Sequence, residues 1–208
     1  MLEKEPEKGE LARLVERVQK GDEESYRILY DLYAKPVYNF IFRLIGNVEE
    51  AEDLTQETFL KVFHQVSRLR DAGQFKFWLY RIARNEVYQR LRKRKHRTEV
   101  SIDDETIGYG DLLREKGRDA NPEDSLLNRE LDKQIRLALE AMPVKLRDVF
   151  VLAVIQKCSY EEVTQIVGRS LLSVKTDIYR ARLIAKEVMG KYLDRTNHEM
   201  SGRRKRDS

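Results

Sequence analysis

Apolar residues recur along most of this chain at the spacing of one face of a helix. In the first stretch they are Leu11, Leu14, Val15 and Val18. Intervals of three and four residues place such side chains on the same side of an α-helix. Glycine and proline are scarce, with 10 and 4 residues, which also favours helices over strands and hairpins. The sequence therefore predicts an all-α fold.

Turn and cap residues divide the first half of the chain into five predicted helices. Gly21 ends the first helix, and Asp22 is placed to cap the second. We expect Pro36 to end the second helix and to start a third, because proline lacks the backbone donor that a helix interior needs. The fourth helix is predicted over about residues 49–66, with Phe59, Val62, Phe63 and Val66 as its buried face. The fifth begins near Phe75.

A change of composition separates this half from the next. Between Glu99 and Asp124 there are nine acidic and three basic residues, and the apolar residues have no sustained period. Such a segment cannot bury enough apolar surface to fold by itself. We therefore expect two small helical domains, residues 10–97 and 125–192, joined by a flexible acidic linker, residues 98–124. Residues 193–208 are interpreted as a disordered basic tail.

The second domain contains the pattern of a helix-turn-helix. Ser159 and Glu162 form a capping box at the start of a short helix, Gly168 ends that helix, and a longer one follows Ser170. Cationic and hydroxyl side chains on the outward face of the longer helix suit phosphates and base edges in a major groove. A helical hairpin with a solvated basic face is the alternative. The outward residues are Lys175, Tyr179, Arg182 and Lys186, with Ser173, Thr176 and Arg180 beside them.

The fifth helix is strongly basic. Residues 76–97 contain nine basic residues and one acidic residue, Glu86, with aromatic residues interleaved. Cations that neutralise phosphates and rings that stack on unpaired bases are what single-stranded nucleic acid needs. The alternative is that the charges merely solvate the helix. We favour nucleic acid for the cations, because such one-sided charge is destabilising unless a polyanion uses it. For Phe75 and Trp78 we favour an ordinary place in the core.

The first half of the fourth helix is acidic, with Glu49, Asp53, Gln56 and Glu57 on one side. Clustered carboxylates repel one another, and a basic protein partner would relieve that repulsion. A favourable interaction of acids with the helix N-terminus explains the same pattern. From physical chemistry alone we favour the second interpretation.

Composition and spacing argue against several classes of protein. The single cysteine, Cys158, cannot form a disulfide within the chain, which fits a reducing cytoplasm. Residues 1–20 are too charged for a signal peptide, and no apolar run approaches the roughly 18 residues of a membrane span. The three histidines lack metal-ligand spacing, and no phosphate loop or nucleophile motif occurs. We therefore expect a cytoplasmic protein without catalytic residues, metal, cofactor or membrane insertion.

Six motifs occur in order along the chain. They are Gly21-Asp22-Glu23-Glu24 through Tyr33, Gly46-Asn47 through Phe59, Phe77-Trp78-Leu79-Tyr80-Arg81-Ile82-Ala83-Arg84-Asn85, Ser159-Tyr160-Glu161-Glu162-Val163, Ser173-Val174-Lys175-Thr176 and Arg180-Ala181-Arg182. Together they resemble the extracytoplasmic-function sigma factors of the sigma-70 family. Any one motif is weak, but the set follows the family's order over roughly residues 10–97 and 125–190. The resemblance implies sigma region 2 in the first domain, sigma region 4 in the second, and a role in transcription initiation.

The resemblance also implies partners and a role for particular residues. Core RNA polymerase would be bound through its beta-prime clamp helices and its beta flap. For the acidic side of the fourth helix, the resemblance therefore favours binding of a protein partner over an interaction with the helix N-terminus. The residues of this chain that would contact the clamp helices are Asp53, Leu54, Gln56 and Glu57. The fifth helix would read the minus-ten element of promoter DNA with Arg81, Asn85, Tyr88 and Gln89, and the loop 67–74 would hold a flipped base.

The second domain would bind the duplex minus-thirty-five element, and the linker would thread into the polymerase cleft. By resemblance, an anti-sigma factor would mask these surfaces. The residues that would contact the duplex are Lys175, Thr176, Tyr179 and Arg180, and Arg169 and Ser173 would contact phosphates. The family usually has a small-residue and proline turn where this chain reads Arg169-Ser170-Leu171-Leu172, and usually a threonine at Ser173. These departures leave the promoter sequence open.

Two rival functions remain at the level of sequence. A helix-turn-helix regulator that binds duplex operators alone would explain residues 130–190, but not the acidic helix or the motif around Trp78. An enzyme acting on single-stranded nucleic acid would lack metal ligands and a general base. The basic run Arg203 to Arg206 is either a nonspecific DNA contact or a solvated end.

Overall fold

The computed structural model describes residues 8–100 and 132–204, with side chains described over 9–94 and 132–190. Every regular element within these ranges is helical, which confirms the predicted all-α class. Of the predicted linker, residues 98–100 belong to a helix and 101–124 lie outside the described residues. The last helix runs to Arg204 and so includes residues 193–204 of the predicted tail.

The first domain is built from four helices and two 3₁₀ turns. Asp22 caps the second helix by accepting hydrogen bonds from the backbone N–H groups of Glu24 and Ser25, and Asn47 caps the third in the same way. Gly46 ends the second helix in the left-handed region, at φ 73°. The elements are α1 Lys8–Gln19, α2 Glu23–Ile45, α3 Val48–Gln65, the turns Val66–Arg68 and Ala72–Gln74, and α4 Phe75–Val100.

Pro36 lies inside α2, so the prediction of two helices separated at this proline was wrong. A proline in a helix interior costs about 3 kcal/mol, mainly through a lost hydrogen bond and a clash. Burying one large apolar side chain returns about 1.5–3 kcal/mol. Tyr33 and Val37, on the two sides of the proline, are both buried in the core. Their burial holds both halves of the helix in place and offsets the local penalty.

The second domain contains the predicted helix-turn-helix. The capping box is present: the backbone N–H of Glu162 donates to Ser159 Oγ at 3.2 Å, and the N–H of Ser159 donates to Glu162 Oε2 at 2.7 Å. Gly168 then ends the first helix of the pair at φ 68°. The elements are α5 over residues 132–140, α6 Val144–Phe150 with a following π-helical turn Val151–Ile155, α7 Tyr160–Val167 and α8 Leu171–Arg204.

The two domains pack against each other through α2 and α4 on one side and α6, the π-helical turn and α7 on the other. Buried apolar residues of both domains form one continuous cluster. Arg147 Nη1 donates to the carbonyl oxygen of Leu44 at 2.7 Å in a buried position. Gln156 Nε2 donates to the carbonyl oxygen of Pro36 at 3.2 Å, while its Oε1 accepts from the Tyr80 hydroxyl at 3.4 Å. The domains are therefore in direct contact as well as linked along the chain.

Candidate nucleic-acid and protein interfaces

The acidic face of α3 is exposed. Asp53, Gln56 and Glu57 lie on the solvent side of the helix. Leu54, which the resemblance placed in the same contact set, is only 1% exposed and belongs to the core. Its side chain therefore offers no surface to a partner, and it leaves the set of contact residues. Its role is to anchor α3 so that Asp53 and Glu57 face outward.

Part of the acidic charge on α3 is neutralised within the chain. Arg94 Nη2 lies 2.5 Å from Glu50 Oε2, and Arg90 Nη2 lies 3.4 Å from Glu57 Oε1. These pairs join the acidic half of α3 to the basic half of α4. Since α3 and α4 neutralise each other there, repulsion among the carboxylates of α3 is smaller than the sequence suggested. Among the described residues, Asp53 takes part in no ion pair of this kind.

Large apolar side chains extend the acidic face toward the end of α3. Leu60 is 60% exposed and Phe63 is 52% exposed. The expectation that Phe63 is buried was therefore wrong; its ring instead meets the edge of the half-buried Tyr26 ring, 5.1 Å between centroids. Spacings of three, four and three residues connect Asp53, Gln56, Leu60 and Phe63 along one side of the helix. Sequence reasoning missed this acidic and apolar face, although the spacing was visible.

The loop 67–74 is held against α1. Gln19 Nε2 donates to the carbonyl oxygens of Val66 and Leu69, at 3.0 and 2.7 Å. Asp71 accepts a hydrogen bond from the N–H of Gly73 at 2.9 Å and so fixes the second 3₁₀ turn. A loop that is anchored at both turns is already shaped before any ligand arrives.

Helix α4 divides between a core face and an outer face. Phe75, Leu79 and Ala83 are buried, which confirms the core prediction for Phe75, while Trp78 is partly buried against the same cluster. Of the four residues assigned to the minus-ten element, Arg81, Asn85 and Gln89 are exposed and Tyr88 is half-buried. Arg81 Nη2 donates to the carbonyl oxygen of Gln165 in α7, at 2.5 Å.

Asp148 of α6 joins three side chains from two domains. This carboxylate is fully buried and accepts hydrogen bonds from Arg84 Nε at 2.7 Å and the Tyr88 hydroxyl at 2.8 Å. Arg169 Nη2 approaches its other oxygen at 3.4 Å. We call this group the Asp148 cluster. The guanidinium of Arg84 also lies over the Tyr88 ring, 4.4 Å from its centroid, a cation–π distance.

Electrostatics in the Asp148 cluster favour a neutral phenol and a charged guanidinium. Burial, followed by the neighbouring charge of Asp148, raises the pKa of Tyr88 to about 12. Burial by itself would lower the pKa of Arg84, but the charge of Asp148 and its hydrogen bond outweigh burial and raise that pKa. No local signal in the sequence identifies this cluster, because Asp148 lies 60 residues beyond Tyr88.

The outward face of α8 brings together the predicted duplex-binding residues. Lys175, Thr176, Tyr179 and Arg180 are all exposed, and Ser173 is partly exposed beside them. Arg169, by contrast, is 17% exposed and pairs with Asp177 as well as with Asp148. Its guanidinium is therefore held in ion pairs within the protein, which contradicts its assignment as a phosphate-binding residue.

The described residues contain no cluster of histidine, cysteine or acidic side chains that could hold a metal ion. Cys158 is buried, as expected for a small core residue. Among the helices described, none combines the length and the apolar character that crossing a membrane requires.

Comparison with known proteins gives two family matches. Residues 29–97 match Sigma-70 region 2, and residues 132–183 match Sigma-70, region 4. The ECF RNA polymerase sigma factor SigW of Bacillus subtilis is 33% identical over 175 residues, which are 83% of this chain and 92% of that protein. The RNA polymerase sigma-H factor of Pseudomonas aeruginosa is 30% identical over 173 residues, 82% of this chain and 89% of that protein.

A solved structure shares the fold. The sigma factor RpoE, co-crystallised with the anti-sigma factor NepR from Bartonella quintana, matches with a TM-score of 0.65 at 22% identity, covering 80% of this chain and 98% of that chain. The two helical domains and their two family matches define a sigma factor with regions 2 and 4. Given the identity to whole relatives, the chain belongs to the ECF (extracytoplasmic-function) RNA polymerase sigma factors of the sigma-70 family.

Proposed function

We propose that this sigma factor works in the cytoplasm by binding core RNA polymerase through α3 and promoter DNA through α4 and α8. The observation that carries the proposal is the division of exposed charge between helices. Asp53 and Glu57 face solvent on α3, whereas Lys175 and Arg180 face solvent on α8. Carboxylates repel a phosphate backbone and attract a basic protein surface, while cations do the reverse.

The docking surface for polymerase combines charge with apolar area. Asp53, Gln56 and Glu57 would meet basic groups of the beta-prime clamp helices. Leu60 and Phe63 would be buried against apolar groups at the centre of the same contact. Interfaces draw most of their energy from such buried large side chains, while rim charges steer association.

Promoter binding requires the domains to separate in part. Arg81 and Tyr88 of α4 donate to Gln165 and Asp148 of the second domain. The same side chains cannot serve the minus-ten strand while those bonds last. Polymerase, by holding α3 at the clamp and the second domain at the beta flap, would replace the contacts between domains and free α4 for the melted strand.

An anti-sigma factor is the second class of partner we propose. The matched RpoE structure contains the anti-sigma factor NepR. The exposed apolar residues on α3 give this chain a surface that such a protein would cover. The chemistry of RNA synthesis would remain with polymerase, because the sigma factor supplies recognition and no reacting group.

The decisive test is association with purified bacterial core polymerase, followed by transcription. The full chain should migrate with the core enzyme in gel filtration at low salt, and salt should weaken the complex because exposed charges are screened. The assembled enzyme should then give run-off transcripts from a promoter selected from a random pool. Absence of association at low salt would overturn the proposal. Tight and specific binding to duplex DNA without polymerase would favour an ordinary helix-turn-helix regulator instead.

A further inference from the structure

The outward face of α8 has an apolar row along its middle. Leu172 is 76% exposed, Tyr179 is 64% exposed and Leu183 is 49% exposed. At about 100° per residue, Leu172, Tyr179 and Leu183 lie within about 40° of one another around the helix axis, and Thr176 lies within about 60° of all three. One exposed leucine on a protein surface needs no explanation. A row of apolar and methyl-bearing side chains on the face proposed for DNA does need one.

Cations flank this row on both sides. Lys175 and Arg182 lie about 60–80° to one side of Leu172, and Arg180 lies about 80° to the other, from the same helical geometry. A helix in the major groove places its middle row against base edges and its flanks near the phosphates of the two strands. The charged residues of α8 are therefore placed for the backbone, and the middle row is placed for the bases.

Leu172 lies in the first turn of α8, at the end of a recognition helix that contacts the bases. It is the second residue of the helix, and the N-terminal residues of a recognition helix are those that contact base edges. Thr176, one turn further on, already donates its hydroxyl proton to the carbonyl oxygen of Leu172 at 2.9 Å. What the side chain of Leu172 offers to the groove is methyl groups, without any hydrogen-bonding atom.

Among the four bases, only thymine presents a methyl group in the major groove. We propose that Leu172 is a specificity-determining residue that contacts a thymine methyl group in the upstream promoter element. This inference rests on the proposed binding of duplex DNA by α8. It adds the chemical feature of the DNA that the residue at this position recognises.

The test removes one methyl group at a time. Polymerase assembled with the full-length wild-type chain selects its upstream element from duplexes that are randomised in that region. Each thymine of the selected element is then replaced by deoxyuridine, which differs only in lacking the methyl group. Binding of each duplex is measured for the wild type, for Leu172→Ala and for the control Leu183→Ala.

At one or two positions, the wild type should bind the deoxyuridine duplex about three- to fivefold more weakly, the effect of one buried carbon. Leu172→Ala should bind both duplexes equally well at those positions. Leu183 lies on the same row but about 16 Å further along the helix, at 1.5 Å per residue, so Leu183→Ala should keep the wild-type dependence. Both side chains are largely exposed, so neither variant should disturb the fold.

Two results would overturn the inference while leaving DNA binding by α8 intact. One is a wild type that is insensitive to methyl removal at every thymine. The other is a Leu172→Ala variant that retains the full penalty. Failure of the wild-type enzyme to select any upstream element would be a different result, because it would overturn the proposed function and this inference with it.

Discussion

The hydroxyl of Tyr88 donates to Asp148 at 2.8 Å across the boundary between the two domains. This bond links a residue that we assign to the melted promoter strand with a carboxylate that lies in the interior of the protein. The pKa of Tyr88 therefore reports whether the domains are in contact.

The ionisation of Tyr88 should depend on Asp148. Burial and the neighbouring carboxylate raise the pKa of the phenol from 10.0 to about 12. In Asp148→Asn the pKa of Tyr88 should fall toward its ordinary value, because one negative charge is removed. The phenolate absorbance of Asp148→Asn, corrected with Tyr88→Phe in the same background, measures this pKa.

The sign of the linkage fixes the pH range of the effect. Because the folded state holds the phenolic proton more tightly than the unfolded state, the bond stabilises the protein fully below pH 10. This contribution is lost as the pH rises through about 12. If the pKa of Tyr88 were the same in Asp148→Asn as in the wild type, the hydrogen bond between Tyr88 and Asp148 would be contradicted.

Removal of the Asp148 carboxylate should destabilise the protein strongly. Asp148→Ala leaves the guanidinium groups of Arg84 and Arg169 without this buried partner. Breaking one side of a buried ion pair costs about 3–5 kcal/mol. Urea unfolding of Asp148→Ala should show a loss of this size. The control Asp31→Ala, at an exposed position on α2, should change the free energy of unfolding by less than about 0.5 kcal/mol. Equal stability of the two variants would contradict the burial of Asp148.

The turn between α7 and α8 should be sensitive to the backbone of Gly168. This residue has φ 68°, and an added Cβ would meet nothing within 4 Å. Gly168→Ala should therefore lower the free energy of unfolding by about 1 kcal/mol through backbone strain alone. Gly190 lies inside α8 with equally open surroundings, so Gly190→Ala should raise stability by about 0.5–1 kcal/mol. Thermal unfolding of both variants measures the two changes in stability. If both variants were stabilised, or both destabilised, the result would count against the turn geometry.

Docking on polymerase should depend on one side of α3 and not on another. Asp53→Ala and Phe63→Ala should each weaken binding of core polymerase by about tenfold, or about 1.4 kcal/mol. Glu52 is also exposed on α3 but points about 100° away from Asp53. Glu52→Ala should therefore bind the core enzyme like the wild type. Fluorescence anisotropy of the labelled chain measures all three, and equal losses for Asp53→Ala and Glu52→Ala would show that total charge matters and the side of α3 does not.

Local features of this fold were readable from the sequence. Caps and turns such as Asp22, the Ser159–Glu162 box and Gly168 act through their own neighbours, and all three occur where the pattern predicted them. The stripes of apolar residues also identified the helices, because each stripe reflects a face that has to be buried.

What the sequence could not show depends on contacts between distant residues. Periodicity placed Phe63 in the core, but a helix face is buried only where another element covers it, and nothing covers this one fully. Pro36 suggested a break that the packing of its neighbours prevents. Arg169 looked like a phosphate ligand until the fold brought Asp148 and Asp177 beside it. For such residues only the tertiary structure decides between a free charge and a paired one.

Arg147 connects the ends of two helices that belong to different halves of the chain. It donates to the carbonyl oxygen of Leu44 at the end of α2 and to that of Met142 just after α5, at 2.7 and 3.0 Å. Because these bonds are buried within the shared apolar cluster, neither half can lose its structure without exposing part of the other. The isolated sigma factor should therefore melt in a single cooperative transition, with calorimetric and van't Hoff enthalpies in agreement, even though its sequence consists of two separate regions.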